Sequence, residues 1–287
     1  MTSLVRTGIG RPLDPRLASN RIAVAGGFVG TLLAVIVQWV NDESISPFAA
    51  GAVGVGVFLA WAIARELDPD HPTSATITVA IAAGAVVLGP FATGVVAVVM
   101  LGARVMAGTV GARLRPADVV VLGLAAGYAG TRPEAWGAAA FLIASVLVAR
   151  PPHAGAIAAA FALSAFVGAV LTGATPDPGA STPLAIALIA VTVAATAISF
   201  PAGRITSHTD SGRTTIDATR VSMARVGVAS AIVAGSVLGA DGAQALAPAI
   251  AALVGVAIIR LASPGTSSDP TQDSKRPTHR QSLPASP

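Results

Sequence analysis

Ile22-Ala-Val-Ala-Gly-Gly-Phe-Val-Gly-Thr-Leu-Leu-Ala-Val-Ile-Val-Gln-Trp-Val40 runs for nineteen residues without a charge. A helix needs roughly 20 such residues to cross about 30 Å of hydrocarbon, so the stretch reads as a membrane span. Arg6, Arg11, Arg16 and Arg21 form a basic flank before it. The run is too long for the apolar region of a cleavable signal. Its end, Gln38-Trp39-Val40-Asn41-Asp42, holds no small-x-small cleavage pattern. The expectation is a first span that stays in the chain.

Nine further apolar runs follow, at 47–64, 73–89, 91–111, 117–130, 134–149, 154–173, 183–200, 221–239 and 243–262. Helices satisfy every backbone group internally, which lipid requires. Barrel strands would alternate apolar and polar residues, and these runs do not. The expected fold class is therefore all-α: a polytopic transmembrane bundle of about ten spans, built as helical hairpins, with both termini inside. Short runs such as 117–130 leave the count open by one or two. Residues 1–20 read as a cytoplasmic basic segment, 21–262 as the transmembrane domain, and 263–287 as a Ser/Pro/Thr-rich cytoplasmic tail too polar to fold.

Composition agrees. Only 11% of the 287 residues are charged, against about 25% in a soluble domain, and mean hydropathy is +0.73. The chain has no cysteine, which excludes disulfides, thiolate catalysis and Cys-ligated metals. Lys275 is the only lysine among 18 basic residues. With abundant Ala, Gly and Val, this is the bias of a high-GC prokaryote, whose plasma membrane is the expected location. The pI of 10.9 accompanies a net charge of only +4. The arginines are read as orientation signals, and no nucleic-acid partner is expected.

Orientation follows from where those charges fall. With ten spans and an internal N-terminus, all of the 18 basic residues except Arg132 lie on the inner side. The outer loops hold Asp42, Glu43, Glu134, Asp177 and Asp241 instead. Trp39, Tyr128 and Trp136 suit the outer interface, and Trp61 the inner one. Pro47, Pro90 and Pro133 recur every 43 residues, each expected at the outer start of a helix, and Pro183 and Pro248 extend the series. Each of these helices runs towards an arginine: Arg65, Arg104, Arg150, Arg204 or Arg260. Gly26-x-x-x-Gly30 and Gly123-x-x-x-Gly127 place glycines on one helix face for close packing.

Polar chemistry gathers at the inner face. Arg65-Glu66-Leu67-Asp68-Pro69-Asp70-His71-Pro72 offers Glu66, Asp68 and Asp70 as oxygen ligands of the kind Mg²⁺ prefers. The preferred reading is a solvated turn, with Thr73 or Ser74 capping the next helix. The loop 201–220 holds Arg204, His208, Asp210, Arg213 and many hydroxyls, a set that suits an anion. It lacks the Gly-Lys-Ser/Thr ending of a P-loop, and Thr214-x-x-Asp217 reads as a helix start. Arg104 and Arg225 fall inside their spans, where they serve function or snorkel to the surface. Arg113 and Arg115 flank Asp118, which suits a first helical turn.

The midplane holds almost no ionisable residue, which argues against a proton- or cation-coupled pump. Three classes of function stay open. A carrier or channel-like protein for a small or apolar solute fits a five-plus-five inverted layout. A cytoplasm-facing enzyme acting on a lipid or polyprenyl phosphate would use the acidic turn and the arginine loops, with Mg²⁺ as its cofactor. It requires the inner loops after the second, fourth and eighth spans to converge. A scaffold would rest on the small-residue faces and the tail. Outside the enzyme reading no cofactor is expected. The partners expected are the lipid bilayer and, in addition, a second copy of the chain or another membrane protein.

Overall fold

The computed structural model describes residues 8–10, 13–14, 16–41, 43–177, 182–212, 214–239 and 241–263. Arg213 and residues 264–287 of the tail lie outside them, as does most of the basic N-terminal segment. The chain is all-helical. In order come α1 (Ala18–Val40), α2 (Pro47–Leu67), α3 (Pro72–Gly84) with a 3₁₀ extension (Ala85–Leu88), α4 (Thr93–Ala107) and α5 (Pro116–Gly130). A 3₁₀ turn (Pro133–Ala135) leads into α6 (Trp136–Ala149). Then follow α7 (Ala154–Thr172), α8 (Pro183–Ser199), α9 (Ala218–Leu238), the short α10 (Gly242–Ala245) and α11 (Ala247–Ala262). Among the described residues there is no strand, only one isolated bridge between His208 and Thr215.

Each apolar run is a helix. Four helices, α1, α2, α7 and α9, are long and apolar enough to cross a membrane. Six further apolar helices are shorter, at 10–17 residues. The outer surface fits a membrane location: Phe28, Phe48, Leu124, Phe166 and Leu171 stand exposed on it. In water so much exposed apolar surface would drive association, whereas lipid is its natural solvent.

Local chemistry sets the helix starts. Pro47, Pro72, Pro116 and Pro183 each occupy the first position of a helix, where a missing N–H loses nothing. Ser46 and Thr182 accept hydrogen bonds from the backbone N–H of Ala49 and Ala185. Three starts differ from the sequence expectation. Pro90 precedes α4 by three residues, because Gly89 (φ +131°) turns the chain and Ala92 N–H bonds to Ala245 O at 3.0 Å. His71, not Thr73 or Ser74, stands before the first residue of α3, and Ser74 Oγ donates back to His71 O. Asp217 itself caps α9, accepting from Thr219 N–H at 2.8 Å, so Thr214 stays in the loop.

The core lies between α2, α4, α6, α9 and α11. Ile63, Leu67, Val95, Leu142, Ile232 and Leu253 are fully buried there. Trp61 is only 4% exposed, so it is a core residue and not an interfacial anchor. The glycine motifs do pack helices. Gly30 of α1 meets Val57 of α2, and Gly168 of α7 lies against the Gly127 carbonyl of α5. A side chain at either site would have to displace its neighbour.

Candidate functional site

The end of α2 meets α4, α8, α9 and α11 at one face of the bundle, and two buried clusters of charge form there. In the first, Arg104 donates through Nε to Glu66 at 2.7 Å and through Nη1 to Ile9 O at 3.0 Å. Thr109 Oγ1 donates to the second Glu66 oxygen. Glu66 is fully buried and Arg104 nearly so.

Asp68 is the hub of the second cluster. His71 Nδ1 lies 3.0 Å from Asp68 Oδ1, Arg260 Nη2 3.7 Å and Arg225 Nη2 3.8 Å from the same oxygen. Arg225 does not snorkel. Fully buried, it donates through Nε and Nη2 to Leu67 O at 2.9 and 2.7 Å, and through Nη1 to Ser199 O. Arg220, one turn earlier, donates to Met106 O at 2.8 Å and Val105 O at 2.7 Å. The last carbonyls of a helix have no partner of their own and favour a cation. Two arginines of α9 therefore close the ends of α2, α8 and α4. Gly108 follows α4 with a left-handed φ of +67°, and the Arg220 guanidinium occupies the space its Cβ would fill.

Asp70 holds the long loop. It accepts from Thr206 N–H at 2.9 Å, Ser207 N–H at 2.8 Å and Thr206 Oγ1 at 3.2 Å. Burial alone would raise the Asp70 carboxyl; the hydrogen bonds from Ser207 and Thr206 outweigh it and hold it below its ordinary value. Asp210 N–H donates to Thr109 O at 3.0 Å. The loops after α2, α4 and α8 thus converge, as an enzyme reading requires. The three carboxylates, however, are engaged separately by guanidinium, hydroxyl or amide groups. Among the described residues no three His, Cys, Asp or Glu side chains form a group that could hold a metal. Asp118 is also taken: its Oδ2 accepts from Arg115 N–H at 2.8 Å and Gly8 N–H at 2.7 Å.

Beside the first cluster opens a cavity of about 660 Å³. Arg104, Arg113, Arg150 and Arg220 line it with Thr209, Thr214 and Thr215, and among the described residues Asp217 is the single acid. Arg104 and Arg220 are occupied as described. Arg113 and Arg150 make no side-chain hydrogen bond or ion pair among the described residues. Of the residues singled out from sequence, Arg104 and Arg113 reach this cavity. Arg65 is half-buried on α2, and Arg115, Arg204 and His208 are exposed around it. Sequence alone does not mark Arg150, Arg220 and Arg260 as site residues. Their signal was present, since each lies at the basic end of its helix, but only the fold shows which face they share.

No family model, curated protein or solved structure matches the chain.

Proposed function

We propose that this chain is a ten-span integral membrane protein of a prokaryotic plasma membrane, with both termini cytoplasmic, that binds a phosphate-bearing solute at its inner face. The observation that carries the reading is the basic cavity, which Arg113 and Arg150 line without a side-chain hydrogen bond or ion pair among the described residues. Phosphate oxygens accept forked, charge-assisted hydrogen bonds from guanidinium groups, and the threonine hydroxyls add neutral donors. Orientation rests on the basic residues collected at this face. A helix of about 15 residues rises only roughly 22 Å. Local thinning of the bilayer and arginines reaching to its surface let such short helices span.

A carrier is the second reading, and one observation favours it. The ion pairs Glu66–Arg104 and Asp68–Arg225 join the inner ends of α2, α4 and α9, with Arg260 adding α11. That is where an inner gate would stand. The two readings share the binding step.

Inorganic phosphate tests that step. A ligand that binds only the folded state raises its melting temperature by mass action. Phosphate is expected to raise the melting temperature of the detergent-purified protein above that in chloride of equal ionic strength. The double variant Arg113→Gln, Arg150→Gln is expected to remove the difference. Equal melting in both salts for the unaltered protein would sink the reading.

A further inference from the structure

The outward face of α9 is recessed between α6 and α8, immediately beyond the basic cavity. Its floor is small: Gly227, Ser230 and Ala234. On one side Ala140, Phe141 and Ala144 of α6 form the wall, with Met223 and Met106 at the basic end. On the other, Val193, Thr196 and Ala197 of α8 do so. Phe200, Val226, Ser230 and Ala234 line both halves, so they form one continuous groove. From Met223 to Leu238 it follows α9 for roughly 22 Å, at 1.5 Å per residue.

Arg220 joins the two spaces. It lines the basic cavity and lies three residues before Met223, so both fall on one face of α9. Val105 and Met106, whose carbonyls Arg220 holds, belong one to the cavity and the other to the groove. A charged pocket thus sits at the head of an apolar channel that runs along α9.

We infer that the ligand is an amphiphile: a membrane lipid with a terminal phosphate, its headgroup between Arg113, Arg150 and Arg220 and one hydrocarbon chain along α9. The inference rests on the anion-binding reading and specifies its ligand. Charge complementarity selects the headgroup. A free phosphate leaves the groove empty, and a neutral lipid leaves the arginines unpaired, whereas a phosphate lipid fills both.

The protein in nanodiscs of neutral phosphatidylcholine allows the test, read by native mass spectrometry and by competition binding. The probes are dioleoyl phosphatidic acid, dioleoylglycerol with the same chains and no phosphate, and inorganic phosphate. The expected result is preference for phosphatidic acid over dioleoylglycerol. Ser230→Trp, and separately Ala144→Trp, fill the groove at exposed helix positions. Each is expected to weaken phosphatidic acid about tenfold, a change of the size that about two methylenes lost from the groove represent, and to leave inorganic phosphate unchanged. If either variant misfolds, which loss of phosphate binding would reveal, Val193→Trp on the opposite wall replaces it. Phosphate binding with no preference for phosphatidic acid, or with lipid binding indifferent to all three tryptophans, would overturn the inference and leave the anion site standing. Binding of neither probe would remove both.

Discussion

Asp68 shows how strongly single residues hold the basic face. It is 1% exposed and sits among two guanidiniums and an imidazole. Replacing it by asparagine keeps the shape and removes the charge, leaving Arg225 buried without its carboxylate. Breaking a buried pair from one side destabilises by roughly 3–5 kcal/mol. Asp68→Asn is therefore expected to lower the melting temperature of the purified protein clearly more than Arg204→Gln at the exposed loop. Equal melting of the two would contradict the hub. Asp70 gives a pH signature instead. Folding lowers its pKa, so its contribution is fully present above the ordinary value of 3.8 and is lost as pH falls through the lowered one. Amide exchange at Thr206 and Ser207 is expected to accelerate only in that acid range, and Asp70→Asn is expected to make it fast at neutral pH.

At the scale of elements, the close crossing of α5 and α7 depends on a missing side chain. Gly168 packs on the Gly127 carbonyl, with Thr131 N also near. Valine there must push the helices apart, and overpacking of this kind destabilises by roughly 1–3 kcal/mol. Gly168→Val is expected to lower the melting temperature, while Gly155→Val, where open space surrounds the missing Cβ, is expected to leave it unchanged. The helices themselves were legible in the sequence. Continuous apolar runs bounded by Pro47, Pro116 and Pro183 place helices within a few residues of α2, α5 and α8, because the period and the proline act locally. Partners across the bundle were not legible. Arg225 meets a carbonyl 158 residues away, and no local pattern encodes that distance. Trp61 misleads for the same reason: an aromatic near a helix end suits an interface equally well until its neighbours are known.

For the whole molecule, the proposed topology sends every loop after an even-numbered hairpin helix to the cytoplasm. Alkaline phosphatase, active only outside, is expected to be silent when fused at 207 or 111 and active when fused at 176 or 44. Activity at 207 would overturn the orientation and, with it, the cytoplasmic placement of the basic cavity. That cavity was only half legible. Arg104 stands out because it falls inside its span and Arg113 because it flanks Asp118, yet Arg150 and Arg220 join them only because the ends of α4 and α6 and the start of α9 share a corner.

The reach of α9 back to earlier helices has a consequence for how the protein is made. During synthesis α2, α4 and α8 emerge before Arg220 and Arg225 exist. The carbonyls those arginines will claim must meanwhile be served by water at the membrane surface. Closure of these helix ends therefore waits on α9. A chain arrested before residue 218 holds helices whose last carbonyls still lack these partners.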